Sequence, residues 1–157
     1  MEKQKFKQVL GFTKKAFEEI CVELLDSEFS PCKRFICEYP YKIAIIIGIT
    51  GNSMGRIYLE CDLETAVKIA LTMNFGDRLD EPNDVYMYLA EFANMIGGRT
   101  TTYMSDTFQE GEFRLTPPAI FLGKGLEVLT PNIESKVAFY KGKLGKFFLD
   151  IGFEEEN

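Results

Sequence analysis

The stretch "KIAIIIGITGNSMGRIYLEC" constrains the fold more than any other. Isoleucines at 43, 45, 47 and 49 fall on one side of an extended chain, with Ala44, Ile46 and Gly48 on the other. Both sides are therefore largely apolar, as in a strand covered on two faces. "TGNSMG" is turn chemistry. "RIYLEC" then alternates, with Ile57, Leu59 and Cys61 inward and Arg56, Tyr58 and Glu60 outward. Two adjacent strands joined by a tight turn commit this region to a sheet.

The flanking sequence alternates between helix and strand signals. Residues 5–25 read as a helix, because Val9, Thr13, Phe17, Ile20 and Leu24 recur at spacings of three and four. "SEFSPCK" ends it. "RFICEY" suggests a strand that meets the next one near Pro40. Asp62 suits an N-cap for a helix through Met73, with Gly76 just past its end. A helix is expected over about 83–105, opened by Pro82 or Asn83. Strand candidates follow at "RLTPPAIFLG", "LEVLT", "KVAFYKG" and "LGKFFLDIGF", the last two joined by a hairpin turn at residues 141–143. The closing "EEEN" reads as a solvated tail. The expectation is one α+β domain over 1–157, with a largely antiparallel sheet of about six strands and long helices packed on it.

Charge and composition exclude several classes. A net charge of −6 disfavours a nucleic-acid backbone and an anionic membrane surface as partners. The start "MEKQKFKQVLGF" lacks the apolar core of a signal peptide, and the apolar run 43–49 is too short to span a bilayer. The four cysteines form no C-x-x-C pair, and with no histidine in the chain no mixed zinc site arises. The cysteines read as reduced core thiols in a cytoplasmic protein, with a redox role as the remaining reading.

The helix over 83–105 carries the candidate chemistry. At about 100° per residue, Val85, Leu89, Phe92, Ile96 and Tyr103 gather on one face. Asp84, Met87, Glu91, Asn94 and Gly98 form a continuous stripe on the opposite face. Glu91 and Asn94, three apart, can touch one partner together. Met87 is a flexible apolar group among polar ones, as at adaptable binding surfaces. Gly97 and Gly98 each weaken a helix interior by about 1 kcal/mol relative to alanine. Such glycines are easiest to understand where another backbone comes close. "RTTTY" follows, with poor helix formers. A second reading stays open, in which the stripe is an ordinary solvated face.

The missing histidine removes Ser-His-Asp and Cys-His nucleophilic sites. No phosphate loop or dinucleotide fingerprint occurs, and the glycines of "GITGNSMG" suit a hairpin. A carboxamide is no base at neutral pH, but it donates and accepts hydrogen bonds and so can orient a water. That suffices only where the bond is labile and its electrophile is already held. An acyl phosphate bound with Mg²⁺ on another protein meets both conditions.

"LAEFANMIGG" followed by "RLTPPAIFLG" resembles the CheC/CheX/FliY phosphatases of bacterial chemotaxis, which share Glu-x-x-Asn on a helix with a proline 23 positions after the asparagine, here Pro117. "IIIGITGNSMGRIYLECDLETAVKIALTMNFG" resembles the CheX branch in its order of strand, G-I-T-G turn, strand and helix. The likeness runs from about residue 40 to 150 and implies a CheC-like fold. It implies removal of phosphate from the aspartyl phosphate of a CheY-type response regulator. Asn94 would orient the attacking water, and Glu91 would pair with a lysine of the regulator. Met87, Gly98 and Pro117 would lie at the partner surface. The chain would need no cofactor of its own, since Mg²⁺ would belong to the regulator. Members of this branch are similar in forming homodimers through their sheets. One departure is Met87, where the wider family has Ser or Asp. Two other functions remain open: a non-catalytic binding module of the flagellar-switch kind, and a self-association domain in which the stripe plays no part.

Overall fold

The computed structural model describes residues 1–109, 111–128 and 133–154. Its elements run α1 (Lys3–Leu25), β1 (Phe29–Pro31), β2 (Lys42–Thr50), β3 (Gly55–Asp62), α2 (Leu63–Met73), α3 (Pro82–Phe108), β4 (Arg114–Leu115), β5 (Ala119–Gly123), β6 (Glu134–Gly142) and β7 (Gly145–Phe153). The seven strands form one sheet in the order β1-β6-β7-β3-β2-β4, with β5 also pairing β2. Every pairing is antiparallel. The expected α+β class stands. Among the described residues the sheet has seven strands, against about six expected, and α2, at 11 residues, is short beside the 23 of α1 and the 27 of α3.

The β2–β3 pair is in the register that alternation requires, with Ile43 opposite Cys61, Ile45 opposite Leu59 and Ile47 opposite Ile57. All six are at most 1% exposed. They meet Phe147, Leu149 and Ile151 of β7 on the same face, and there α1 and α3 lay Phe17, Ile20, Leu89, Phe92 and Ile96 on the sheet. Phe17 is the centre of an aromatic cluster, 4.6 Å from Tyr140, 5.4 Å from Phe147 and 6.2 Å from Phe92 between ring centroids.

Several local expectations are corrected. No strand forms at 34–39; the strand that pairs the sheet's edge is Phe29–Pro31, immediately before Cys32. "RLTPPAIFLG" is two strands, because Pro117 and Pro118 cannot donate to the β2 ladder and break it. Residues 126–128 form no strand, while 129–130 and the tail from 155 lie outside the described residues. The β6–β7 hairpin turns at Lys143 and Leu144, with Gly142 paired to Gly145, one residue later than expected.

The largest correction concerns the far face of the sheet. Arg56, Tyr58 and Glu60 point outward as expected, away from the helices, yet that face is covered and they are 7%, 6% and 4% exposed. Phe35 packs on Phe139 at 5.0 Å, Phe139 on Phe148 at 5.2 Å and Tyr58 on Phe148 at 6.0 Å. The charges there are paired: Lys42 with Glu60 at 3.2 Å and Arg56 with Asp150 at 3.1 Å. The Tyr58 hydroxyl donates to Glu60. Burial, then that bond to a carboxylate, pushes the Tyr58 phenol well above its ordinary range.

Candidate functional site

The site is built on α3. Pro82 occupies its first turn, and the Asp84 carboxylate accepts from the backbone N–H groups of Asp80 (3.0 Å) and Glu81 (2.9 Å). Asp84 is thereby committed to the helix start rather than to the exposed stripe. The threonines of "RTTTY" are accommodated by bonding back into the helix. Thr100 Oγ1 donates to the Ile96 carbonyl at 2.8 Å, and Thr101 and Thr102 donate to that of Gly98 at 3.0 and 2.9 Å. This carries α3 three residues beyond its expected end.

Val85, Leu89, Phe92 and Ile96 are buried as the periodicity requires. Tyr103 is half-buried and donates its hydroxyl to Glu19 of α1 at 2.6 Å. Arg99 grips Glu23 with both terminal nitrogens, at 2.6 and 2.8 Å. Those hydrogen bonds hold the Glu23 carboxyl below its ordinary range. Alpha3 is thus fixed against α1 on one side and against the sheet below.

The opposite face is open. Met87 is 69% exposed, Glu91 is exposed, and Asn94 and Gly98 are half-exposed. Among the described residues neither Glu91 nor Asn94 has a side-chain hydrogen bond or ion pair. The two glycines have different causes. A Cβ on Gly97 would stand 3.0 Å from Leu115 Cδ1 and 3.6 Å from Ile47 Cδ1, so this glycine lets β4 close on the helix. The close neighbour is a side chain, not the backbone expected from the sequence. A Cβ on Gly98 would meet nothing within 4 Å. Pro117 is exposed, two residues past Leu115, and Thr116 ties that segment to Gly48 by two bonds of 2.9 Å.

Sequence reasoning passed over the turn between α2 and α3. Asn74 Oδ1 accepts from the Tyr88 hydroxyl of α3 at 2.7 Å, and Phe75 beside it is 95% exposed. The available signal was an aromatic residue inside the polar connection "NFGDRLDE".

Chemically, the face offers a carboxylate and a carboxamide on a convex helix. Clefts exist elsewhere, one of about 510 Å³ between Tyr41 and the first turns of α2, and one of about 390 Å³ above Lys42 and Glu60. A metal-holding group of three acidic or cysteine side chains is absent among the described residues. Glu91 can receive an ammonium group, and Asn94 can hold a water by donating and accepting.

The family model described as chemotaxis phosphatase CheX matches residues 43–140. A search of curated proteins found no match. Among solved structures, a chemotaxis protein CheX from Desulfovibrio desulfuricans superposes with a TM-score of 0.81 at 18% identity, over 94% of this chain and 99% of that one. The CheX of a CheX–CheY–BeF₃–Mg²⁺ complex from Borrelia burgdorferi gives 0.74 at 22% identity, over 94% and 98%. FliY from Thermotoga maritima gives 0.69 at 12% identity, over 97% and 91%.

Proposed function

The chain belongs to the CheX family of chemotaxis phosphatases, and on that premise we propose that it hydrolyses the aspartyl phosphate of a CheY-type response regulator. The exposed stripe of α3 docks on the regulator. Glu91 forms an ion pair with a regulator lysine and fixes the register of the helix. Asn94 holds a water in line with the phosphorus and the aspartyl oxygen. The water oxygen forms the new P–O bond as the P–O bond to the aspartyl carboxylate breaks, and the water proton passes to the released phosphate. Mg²⁺, carried by the regulator, would supply neutralisation of the phosphoryl charge. Positioning supplies the rate, since an amide takes no proton. The protein acts in the cytoplasm, where its substrate resides, and pairs with a second copy through its sheet.

The observation that carries this reading is that Asn94 is set on α3, half-exposed, with no side-chain partner among the described residues. A carboxamide serving the fold from a buried position would be bonded there; Asn94 instead keeps its donors and acceptor open to water or a partner. The relative from Borrelia burgdorferi, solved in complex with CheY, supports the choice of partner. The test is phosphate loss from phosphorylated CheY-type regulators, with wild type set against Asn94→Ala.

A further inference from the structure

Phe75 is the most exposed large apolar residue among those described, at 95%. It also lies in the left-handed region, with φ of 57°, which a bulky side chain avoids. Neither feature helps the isolated chain fold. Yet the turn is tightly built. Asn74 Nδ2 donates to the carbonyls of Asp77 at 3.1 Å and Arg78 at 3.3 Å, while its Oδ1 accepts from Tyr88 at 2.7 Å. The backbone N–H of Phe75 donates to Thr72 at 3.1 Å, and that of Gly76 to Leu71 at 2.8 Å. These bonds hold the aromatic ring out in solvent.

The turn stands beside the stripe of α3. Tyr88 follows Met87 in the helix, about 100° around its axis, on the side of the stripe away from Gly97. Leu115 packs against Gly97 on the other side, so the stripe is open to a partner with the turn on one flank. The connection that carries Phe75 is mainly acidic: Asp77, Asp80 and Glu81 are exposed beside one cation, Arg78. That sign disfavours an anionic membrane or the same acidic surface of a second copy. It suits a partner with an apolar depression bordered by basic side chains.

We propose that Phe75 is an apolar anchor for the response regulator, setting affinity and partner choice while Asn94 serves the chemistry. The inference rests on the phosphatase reading above. A turn whose backbone is already ordered leaves only the two side-chain torsions of the ring to fix on docking, and buried aromatic anchors carry much of an interface's energy.

The experiment measures kcat and KM on a regulator phosphorylated with acetyl phosphate, for wild type, Phe75→Ala and Phe75→Leu. Sedimentation and thermal melting are run on each. The expected result is a KM raised about tenfold in Phe75→Ala, kcat within twofold, partial recovery in Phe75→Leu, and no loss of melting temperature. An unchanged KM in Phe75→Ala overturns the proposal. Loss of self-association with KM unchanged also overturns it, assigning the ring to a contact between copies. A wild-type chain that leaves the regulator's phosphate untouched removes the phosphatase reading and this inference together.

Discussion

Gly98→Ala separates folding from docking at a single atom. The new methyl group would meet nothing within 4 Å among the described residues outside its own helix's backbone. The substitution therefore adds helix propensity without strain, about 0.8–1 kcal/mol for an interior position. Gly98 lies in the middle of the 27-residue α3, and its carbonyl still accepts from Thr101 and Thr102 after the change. For a chain of 157 residues, that gain corresponds to a rise of about 2–4 °C in melting temperature. The neighbouring Gly97→Ala is the internal control. Its Cβ would press on Leu115 at 3.0 Å, so the propensity gain is offset by displacement of that side chain. Melting followed by circular dichroism should rank Gly98→Ala above wild type and Gly97→Ala below Gly98→Ala. If the stripe receives a partner, Gly98→Ala should also raise KM for the phosphorylated regulator, because the methyl group stands where the partner must approach. A destabilised Gly98→Ala would refute the open-space argument. A stabilised variant with unchanged KM would remove Gly98 from the docking surface.

Other consequences are checked more simply. Phe92, fully buried between Phe17 and Phe147, should cost about 3–5 kcal/mol when replaced by alanine, read from urea unfolding as a lower midpoint. Cys37 is pushed from 9.0 to about 11, first by burial and then by the charge of Glu60. The folded state thus favours the protonated thiol: that contribution is complete below pH 9 and is lost as pH rises from 9 to about 11. In a Cys32→Ser background, iodoacetamide should label Cys37 slowly at pH 8 and faster through about pH 11; a rate that levels off near pH 9 contradicts this environment.

The sequence carried much of this architecture because its signals are local. The alternation in β2 and β3 determined which side of each strand faces the helices, and the spacing in α3 separated Val85, Leu89, Phe92 and Ile96 from Met87, Glu91 and Asn94. What periodicity could not express was contact made from a distance. Arg56, Tyr58 and Glu60 look like a solvated face until Phe148 of β7 is set beside Tyr58 and the segment of Cys37 and Tyr39 beside Glu60. Gly97 looks like a weak point until Leu115 is found against it. Asp84 belongs to the stripe by angle and to the helix cap by hydrogen bonding. Phe75 escaped notice because its exposure depends on a turn tied together by Asn74 and on Tyr88, 14 residues away. The positions of Glu91 and Asn94 were readable from spacing; their proposed roles rest on family membership and on chemistry.

The central claim is that Asn94 aims a water at a phosphoryl group carried by another protein. The direct measurement is the dephosphorylation rate of a saturating phosphorylated CheY-type regulator by Asn94→Ala, with Asn94→Asp alongside and thermal melting to check the fold. Removing one oriented polar group of this kind costs about 10²-fold or more, so Asn94→Ala should fall by at least that factor, with regulator binding retained and melting temperature unchanged. Phosphate release at the wild-type rate by a folded Asn94→Ala would contradict the account.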